Sequence, residues 1–341
     1  MEVFYDKLAN CFRVQGRCYV SDERLFLNAS GGSLQGTFQG TELTFDVWSD
    51  YVEKGRNAYV RVIVDGRSRR VRLPKGEKAI TMRTSDGRHD FEIVKLTESA
   101  NNSFGIHSVR TDGEFLPWEK QYRPKIEFIG DSITTGFGVL AHDTYGEYKT
   151  KEQDFTKAFP YLVSKALDAD YHVVAAGGWP IYKSKYSPYA IPDYYDNVDL
   201  LRNTDKYDFG SFTPDIVVIT LGTNDFSYLA DLPPERMRAE RDEVRRHYLT
   251  FLSKLLGLYP HAIFVLLYGF FDYLDLGILT EEVASAFRND RISTLVTDSA
   301  SSIGDVRAGH PGQKAHAIAA RKLLSILGYG IKSPPPIARD S

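Results

Sequence analysis

The chain has 341 residues, 43% of them hydrophobic and 26% charged, with a formal net charge of −3. That is the balance of a globular protein long enough for two cores, and without a basic surplus it argues against nucleic acid or an anionic membrane as a partner. Two cysteines, Cys11 and Cys18, are too few for a disulfide framework or a metal site. They read as free thiols, with one local disulfide open to an exported form.

The N-terminus, MEVFYDKLANCFRV, has neither the basic start nor the apolar run of a signal peptide. No stretch approaches the ~20 apolar residues needed to span a bilayer. The expectation is a cytoplasmic protein with no membrane partner; a secreted mature form without its leader would read the same way.

From about residue 25 to 97 come six short alternating segments: SLQGTFQG, ELTFDVWS, AYVRVIVDG, RRVRLP, AITMRT and HDFEIVKL. Apolar and polar residues alternate, and Gly, Asp or Pro stand at the breaks, which predicts strands. Val60, Val62 and Val64 share one face and Arg61 and Ile63 the other, while Asp65-Gly66 suits a tight hairpin turn. The arginines of GRSRRVR read as a solvated strand face. Strands without intervening helices predict an all-β jelly roll or β-sandwich over residues 1–115, joined to the next domain within FGIHSVRTDGEFLPWEKQYRP. Trp48 and Trp118 read as core or domain-interface residues.

Over residues 116–341 the pattern changes. KIEFIG, YHVVAA, DIVVITLG and AIFVLLYG are continuous apolar runs, as expected of strands buried on both faces of a parallel sheet. Between them lie helical segments: one opened by Pro160, one from about Pro234 that stops at Gly257, and a last one after HPG. An α/β/α domain with a parallel, flavodoxin-like sheet follows. A SPPP run near the C-terminus reads as a tail. The insert from Trp179 to Pro214 is rich in tyrosine and either packs on its own domain or walls a site.

In such sheets ligands bind beyond the carboxyl ends of the strands. The first strand is followed by Gly130-Asp131-Ser132, the second by Gly177-Gly178, and the third by the GTND containing Asn224; His310 precedes the last helix. A serine hydroxyl needs a neighbouring base, histidine titrates near working pH, and an oxyanion needs donors, which glycine backbone and an asparagine amide can supply. Ser132 capping a turn and Asn224 starting one are the bland alternatives, and the four blocks together argue against them. His316 reads as a packed helix residue. No set of metal ligands and no phosphate loop is visible, so no metal and no cofactor is expected.

GDSIT, the following glycines, GTND and HP in this order resemble the four sequence blocks of the SGNH or GDSL-type hydrolases. The β-domain running into RPKIEFIGDSITTGFG is similar in particular to carbohydrate esterase family 2, which joins a jelly roll to an SGNH domain and removes O-acetyl groups from xylan and related polysaccharides. The resemblance implies Ser132 as nucleophile, His310 as base, and Ser132, Gly178 and Asn224 as oxyanion donors. It aligns Gly177 with a serine and Pro180 with a glycine of the second block, and has Asp131 and Asp225 order their loops. Trp179 and Tyr182 become candidate substrate-binding rings.

One departure concerns the acid that usually stands two or three residues before the histidine. Here those positions are Ala308 and Arg307, and the nearest acid is Asp305. Three arrangements stay open: a backbone carbonyl orients His310 in a dyad, Asp305 folds back to it, or the site is degenerate. Four intact blocks favour the dyad. The implied function is hydrolysis of O-acetyl esters on an acetylated carbohydrate through an acetyl-enzyme. The rivals are a general short-chain esterase, lipase or thioesterase, and a carbohydrate-binding protein with a vestigial hydrolase site.

Overall fold

The computed structural model describes residues 1–118 and 121–328; the SPPP run lies outside the described residues. The N-terminal half is one ten-stranded antiparallel sheet. Its main strands are β1 (Ser33–Tyr51), β2 (Tyr59–Val64), β3 (Arg67–Arg72), β4 (Gly76–Lys95) and β5 (Asn102–Thr111). The sheet order runs Tyr19–Ser21, Arg24–Phe26, β5, β1, β4, β2, β3, with Glu2–Phe4 added beside β5 and Arg13–Gln15 and Glu114–Leu116 beside β1. Alternate residues of these strands, among them Leu34, Phe38, Phe45, Val60, Val62, Phe91, Ile93 and Phe104, meet in one core.

Six expected strands are therefore four. SLQGTFQG and ELTFDVWS are halves of β1, and AITMRT and HDFEIVKL are halves of β4. The glycines that looked like breaks, Gly40 and Gly87, face each other in the ladder where the register shifts, so they mark an irregularity inside two long strands. Asn102–Thr111, which overlaps the start of the expected join, is the ladder partner of β1. It is buried almost continuously and so lacks the alternation that announces a half-exposed strand.

The C-terminal half carries a parallel sheet of β6 (Lys125–Gly130), β7 (Asp170–Ala175), β8 (Ile216–Thr220), β9 (Ile263–Tyr268) and β10 (Ile292–Val296), in the order β7-β6-β8-β9-β10. This doubly wound order places a switch point between β6 and β8, where such folds open a crevice. Helices α1 (Ser132–Thr135), α2 (Phe159–Leu167), α3 (Thr223–Leu229), α4 (Pro234–Leu258), α5 (Leu274–Ala286) and α6 (Gln313–Ile326) complete the layers. Ile129, Val217 and Phe264 pack against α4 and α5 on one face; Phe128, Val218 and Val265 pack against α2 and α6 on the other.

The fifth strand and α5 were not anticipated: ISTLV is short and half-exposed at the sheet edge, and it lacks the unbroken apolar run of its neighbours. Gly257 lies inside α4, which continues to Leu258. No helix among the described residues is long and apolar enough to cross a membrane.

The two halves are tied by buried charge. Arg61, on the face of β2 opposite its valines, is 2% exposed and reaches Asp154 at 2.7 Å. Arg17 pairs with Glu127 at 3.1 Å, and its guanidinium lies over the rings of Tyr195 and Tyr207. Arg13 pairs with Asp170 at 2.7 Å. Of the GRSRRVR arginines, Arg67, Arg69 and Arg72 are exposed as expected, but Arg70 donates to the carbonyls of Lys151 and Gln153 across the junction. Much of the tyrosine-rich insert packs inward: Tyr195 is fully buried and bonds Glu127, while Tyr186 and Tyr189 are exposed.

Candidate active site

The chain leaves β6 through Gly130, where a Cβ would meet Thr134 Oγ1 at 2.0 Å, so only glycine lets the next turn fold back. Asp131 caps that turn, its Oδ1 accepting the Ile133 N–H at 2.9 Å. Ser132 becomes the first residue of α1, 6% exposed, with an N–H that the short helix cannot satisfy.

His310 arrives from the far end of the chain on a two-residue hairpin, in which Arg307 pairs with His310. The central residues Ala308 and Gly309 have φ of +47° and +73°. An alanine there is strained by about 1 kcal/mol, and the turn is held by Ala308 N–H to Asp143 O at 2.8 Å and Gly309 N–H to Thr144 O at 2.6 Å. His310 Nε2 lies 2.9 Å from Ser132 Oγ, and Nδ1 lies 3.2 Å from the carbonyl oxygen of Ala308. A carbonyl only accepts, so Nδ1 carries the proton and Nε2 is free to take one.

Asp305 is turned elsewhere. Its Oδ2 accepts the Ala315 N–H at 2.9 Å, its backbone carbonyl accepts the Gly312 N–H at 2.7 Å, and both contacts cap α6. Of the three arrangements left open by the sequence, the geometry is that of the dyad. The imidazole is also walled by Phe137, with ring centroids 4.0 Å apart, and by Phe271, edge-on at 6.0 Å. Burial pushes its pKa down to about 4, and the Ala308 carbonyl pulls weakly the other way.

Gly177 and Gly178 form the turn after β7, closed by Trp179 N–H to Ala176 O at 3.3 Å. Gly178 has φ +80°, which favours glycine, and among the described residues none accepts its N–H. Asn224, on the first turn of α3, donates its amide to Trp179 O at 3.1 Å and to Asp131 Oδ2 at 3.2 Å. Asp225 accepts the N–H groups of Ile181, Tyr182 and Lys183 at 2.8–3.1 Å, which fastens the insert to α3. Burial raises the carboxyls of Asp131 and Asp225, to about 7 and about 6.

The ring of Trp179, expected to face sugar, is 3% exposed and packed against Tyr189 and Tyr194; its carbonyl is what meets the site. Tyr182 is half-buried and stacks on His247 at 4.3 Å. His316 packs between Phe159 and Phe270, as expected. Beside Phe271 opens a groove of about 670 Å³ lined by Asp272, Tyr273, Leu274, Glu281 and Asp298 among others. Among the described residues no group of three or more His, Cys, Asp or Glu is placed to hold a metal.

Three parts of the surroundings carried no motif. Phe137 and Phe271 are loop aromatics indistinguishable in sequence from core residues. The Ala308 carbonyl is backbone, which any residue has. Glu98 comes from the β-domain, and its Oε2 accepts the Gly177 N–H at 2.5 Å.

Residues 14–118 match the carbohydrate esterase 2 N-terminal family, and residues 128–317 match the GDSL-like lipase/acylhydrolase family. The chain is 27% identical over 323 residues to an acetylxylan esterase / glucomannan deacetylase of Cellvibrio japonicus (strain Ueda107), covering 91% of this chain and 86% of that one. An acetyl xylan esterase from the rumen bacterium Butyrivibrio proteoclasticus has the same fold, with a TM-score of 0.86 at 22% identity over 97% of this chain and all of that one. So does a family two carbohydrate esterase from Clostridium thermocellum, solved with cellohexaose, with a TM-score of 0.84 at 23% identity over 94% and 100% of the two chains. Matched over more than half of its length, the half that holds Ser132, Gly178, Asn224 and His310, the chain belongs to the GDSL-like lipase/acylhydrolase family.

Proposed function

We propose that the protein is a serine esterase that removes O-acetyl groups from carbohydrates. The observation that carries this reading is the 2.9 Å contact between Ser132 Oγ and a His310 whose other nitrogen is already engaged. As Ser132 Oγ bonds to the acetyl carbon, its proton passes to His310 Nε2, and the carbonyl electron pair moves onto oxygen. The resulting oxyanion meets the unengaged N–H groups of Ser132 and Gly178. Asn224 joins them by releasing its longer bond, the one to Asp131. Collapse expels the sugar oxygen, which takes the proton from His310. Water then hydrolyses the acetyl-serine by the same exchange, and no cofactor enters any step.

The carbohydrate class is supported by the names of the relatives and by the cellohexaose held in one of them. The groove beside Phe271 suits it, since aromatic faces and carboxylates are the groups that meet sugar rings and hydroxyls. The intact dyad speaks against the vestigial-site reading. In an assay with an aryl acetate and an acetylated xylan, Ser132→Ala should lose turnover on the order of 10⁴-fold or more; wild-type turnover by that variant would end the proposal. A series of longer acyl esters should fall away steeply beyond acetate, whereas a flat series would mark a general esterase.

A further inference from the structure

Resting on the esterase reading, we propose that Glu98 of the β-domain is a positioning residue for the oxyanion turn of the catalytic domain. Glu98 follows β4, is 3% exposed, and reaches across the junction with both carboxylate oxygens engaged. Oε2 accepts the Gly177 N–H at 2.5 Å, and Oε1 accepts the Asn101 amide at 3.0 Å. The space at Gly177 is filled by this carboxylate: a Cβ there would stand 3.1 and 3.3 Å from the two oxygens. A side chain at position 177 would have to displace that carboxylate.

The turn needs such an anchor. Gly177 and Gly178 are its two central residues, and the closing contact, Trp179 N–H to Ala176 O, is long at 3.3 Å. The positive φ of Gly178 is that of a type II turn, which differs from type I by a flip of the central peptide. That peptide carries the Gly178 N–H, so a flip would turn the donor away from the oxyanion. Two consecutive glycines impose little preference of their own. The first central φ is the same in both forms, so the bond to the Gly177 N–H does not choose between them; it fixes where the turn stands against the β-domain, and with that where the Gly178 N–H lies relative to Ser132.

The same loop also reaches the base. Asn101, held by Glu98, donates to Tyr148 Oη at 3.2 Å; Tyr148 stacks on Phe137 at 4.4 Å, and Phe137 lies against His310. Arg56 lies over the other side of this assembly, 4.4 Å from the Tyr148 ring centroid. The β-domain is thus part of the catalytic framework rather than an appended module.

The test is the kinetics of Glu98→Asp, Glu98→Ala and Glu98→Gln with an aryl acetate, alongside the wild type and Ser132→Ala. Glu98→Asp withdraws the acceptor by one methylene, and Glu98→Ala removes it; each should lower kcat by about 10–100-fold with KM little changed, the scale of a displacement near 1 Å. Glu98→Gln keeps an oxygen for the Gly177 N–H while its NH2 obliges the Asn101 amide to turn its own oxygen inward; it should retain kcat within about threefold, a rescue expected of an acceptor and not of a charge. Affinity for a boronic acid that forms a tetrahedral anionic adduct on Ser132 should fall in parallel with kcat. Wild-type kcat in a folded Glu98→Asp, or a loss in Glu98→Gln equal to that in Glu98→Asp, would overturn the proposal. Such results leave the esterase reading untouched, which fails instead if the wild type has no turnover or Ser132→Ala keeps it.

Discussion

At the scale of single residues, the unusual partner of His310 has a measurable consequence. A carboxylate beside the imidazole would raise its pKa and stabilise the imidazolium; a peptide carbonyl does so far less. Set between Phe137 and Phe271, His310 is pushed by burial down to about 4, below its ordinary 6.5. The base works only when neutral, so a lowered pKa extends activity to lower pH. The acid limb of kcat/KM should therefore fall near pH 4, with rates at pH 5 close to those at pH 7; a limb at pH 6–7 would mean that the ring is not held below its ordinary value. The protonated intermediate has other help, because a ring face 4.0 Å away favours a cation.

At the scale of elements, Asp305 belongs to a helix. It accepts the third N–H of α6 and so performs a cap from outside the helix sequence, while Gly312 leaves it room, since a Cβ there would meet Asp305 Oδ1 at 2.3 Å. Asp305→Ala should cost about 1 kcal/mol in urea unfolding, as loss of a cap does. Its kcat should stay within about tenfold of wild type, against about 10⁴ for removing a triad aspartate's charge. Blocks of sequence placed Ser132, Gly178, Asn224 and His310 at one sheet edge because each follows a strand or precedes a helix, and such local junctions have local signatures. Glu98 and the Ala308 carbonyl have none: one acts through an acceptor oxygen from another domain, the other through a peptide group every residue owns.

For the molecule as a whole, the junction between the halves is where stability and catalysis meet. Arg61–Asp154 and Arg17–Glu127 are buried on both sides, with side chains no more than 4% exposed. Removing one partner leaves the other charge buried, so Arg61→Ala should destabilise the protein by about 3–5 kcal/mol. The two halves should also unfold in one calorimetric transition; two separated transitions, with Arg61→Ala shifting neither, would show that the junction is weak.

Alternation along β2 sets Arg61 on the face opposite the valines, but alternation says which residues share a face and not what covers it, so Asp154 has no trace in the local pattern. The two-domain plan, the parallel sheet and the four blocks are legible in the chain because periodicity, turn residues and short motifs are local. Tertiary structure alone decided that Gly40 and Gly87 lie within continuous strands, that the ring of Trp179 is core, that Asp305 faces α6, and that Ala308 holds His310. Each of these depends on a partner distant in the chain or on the direction of a single peptide group, and composition and spacing record neither.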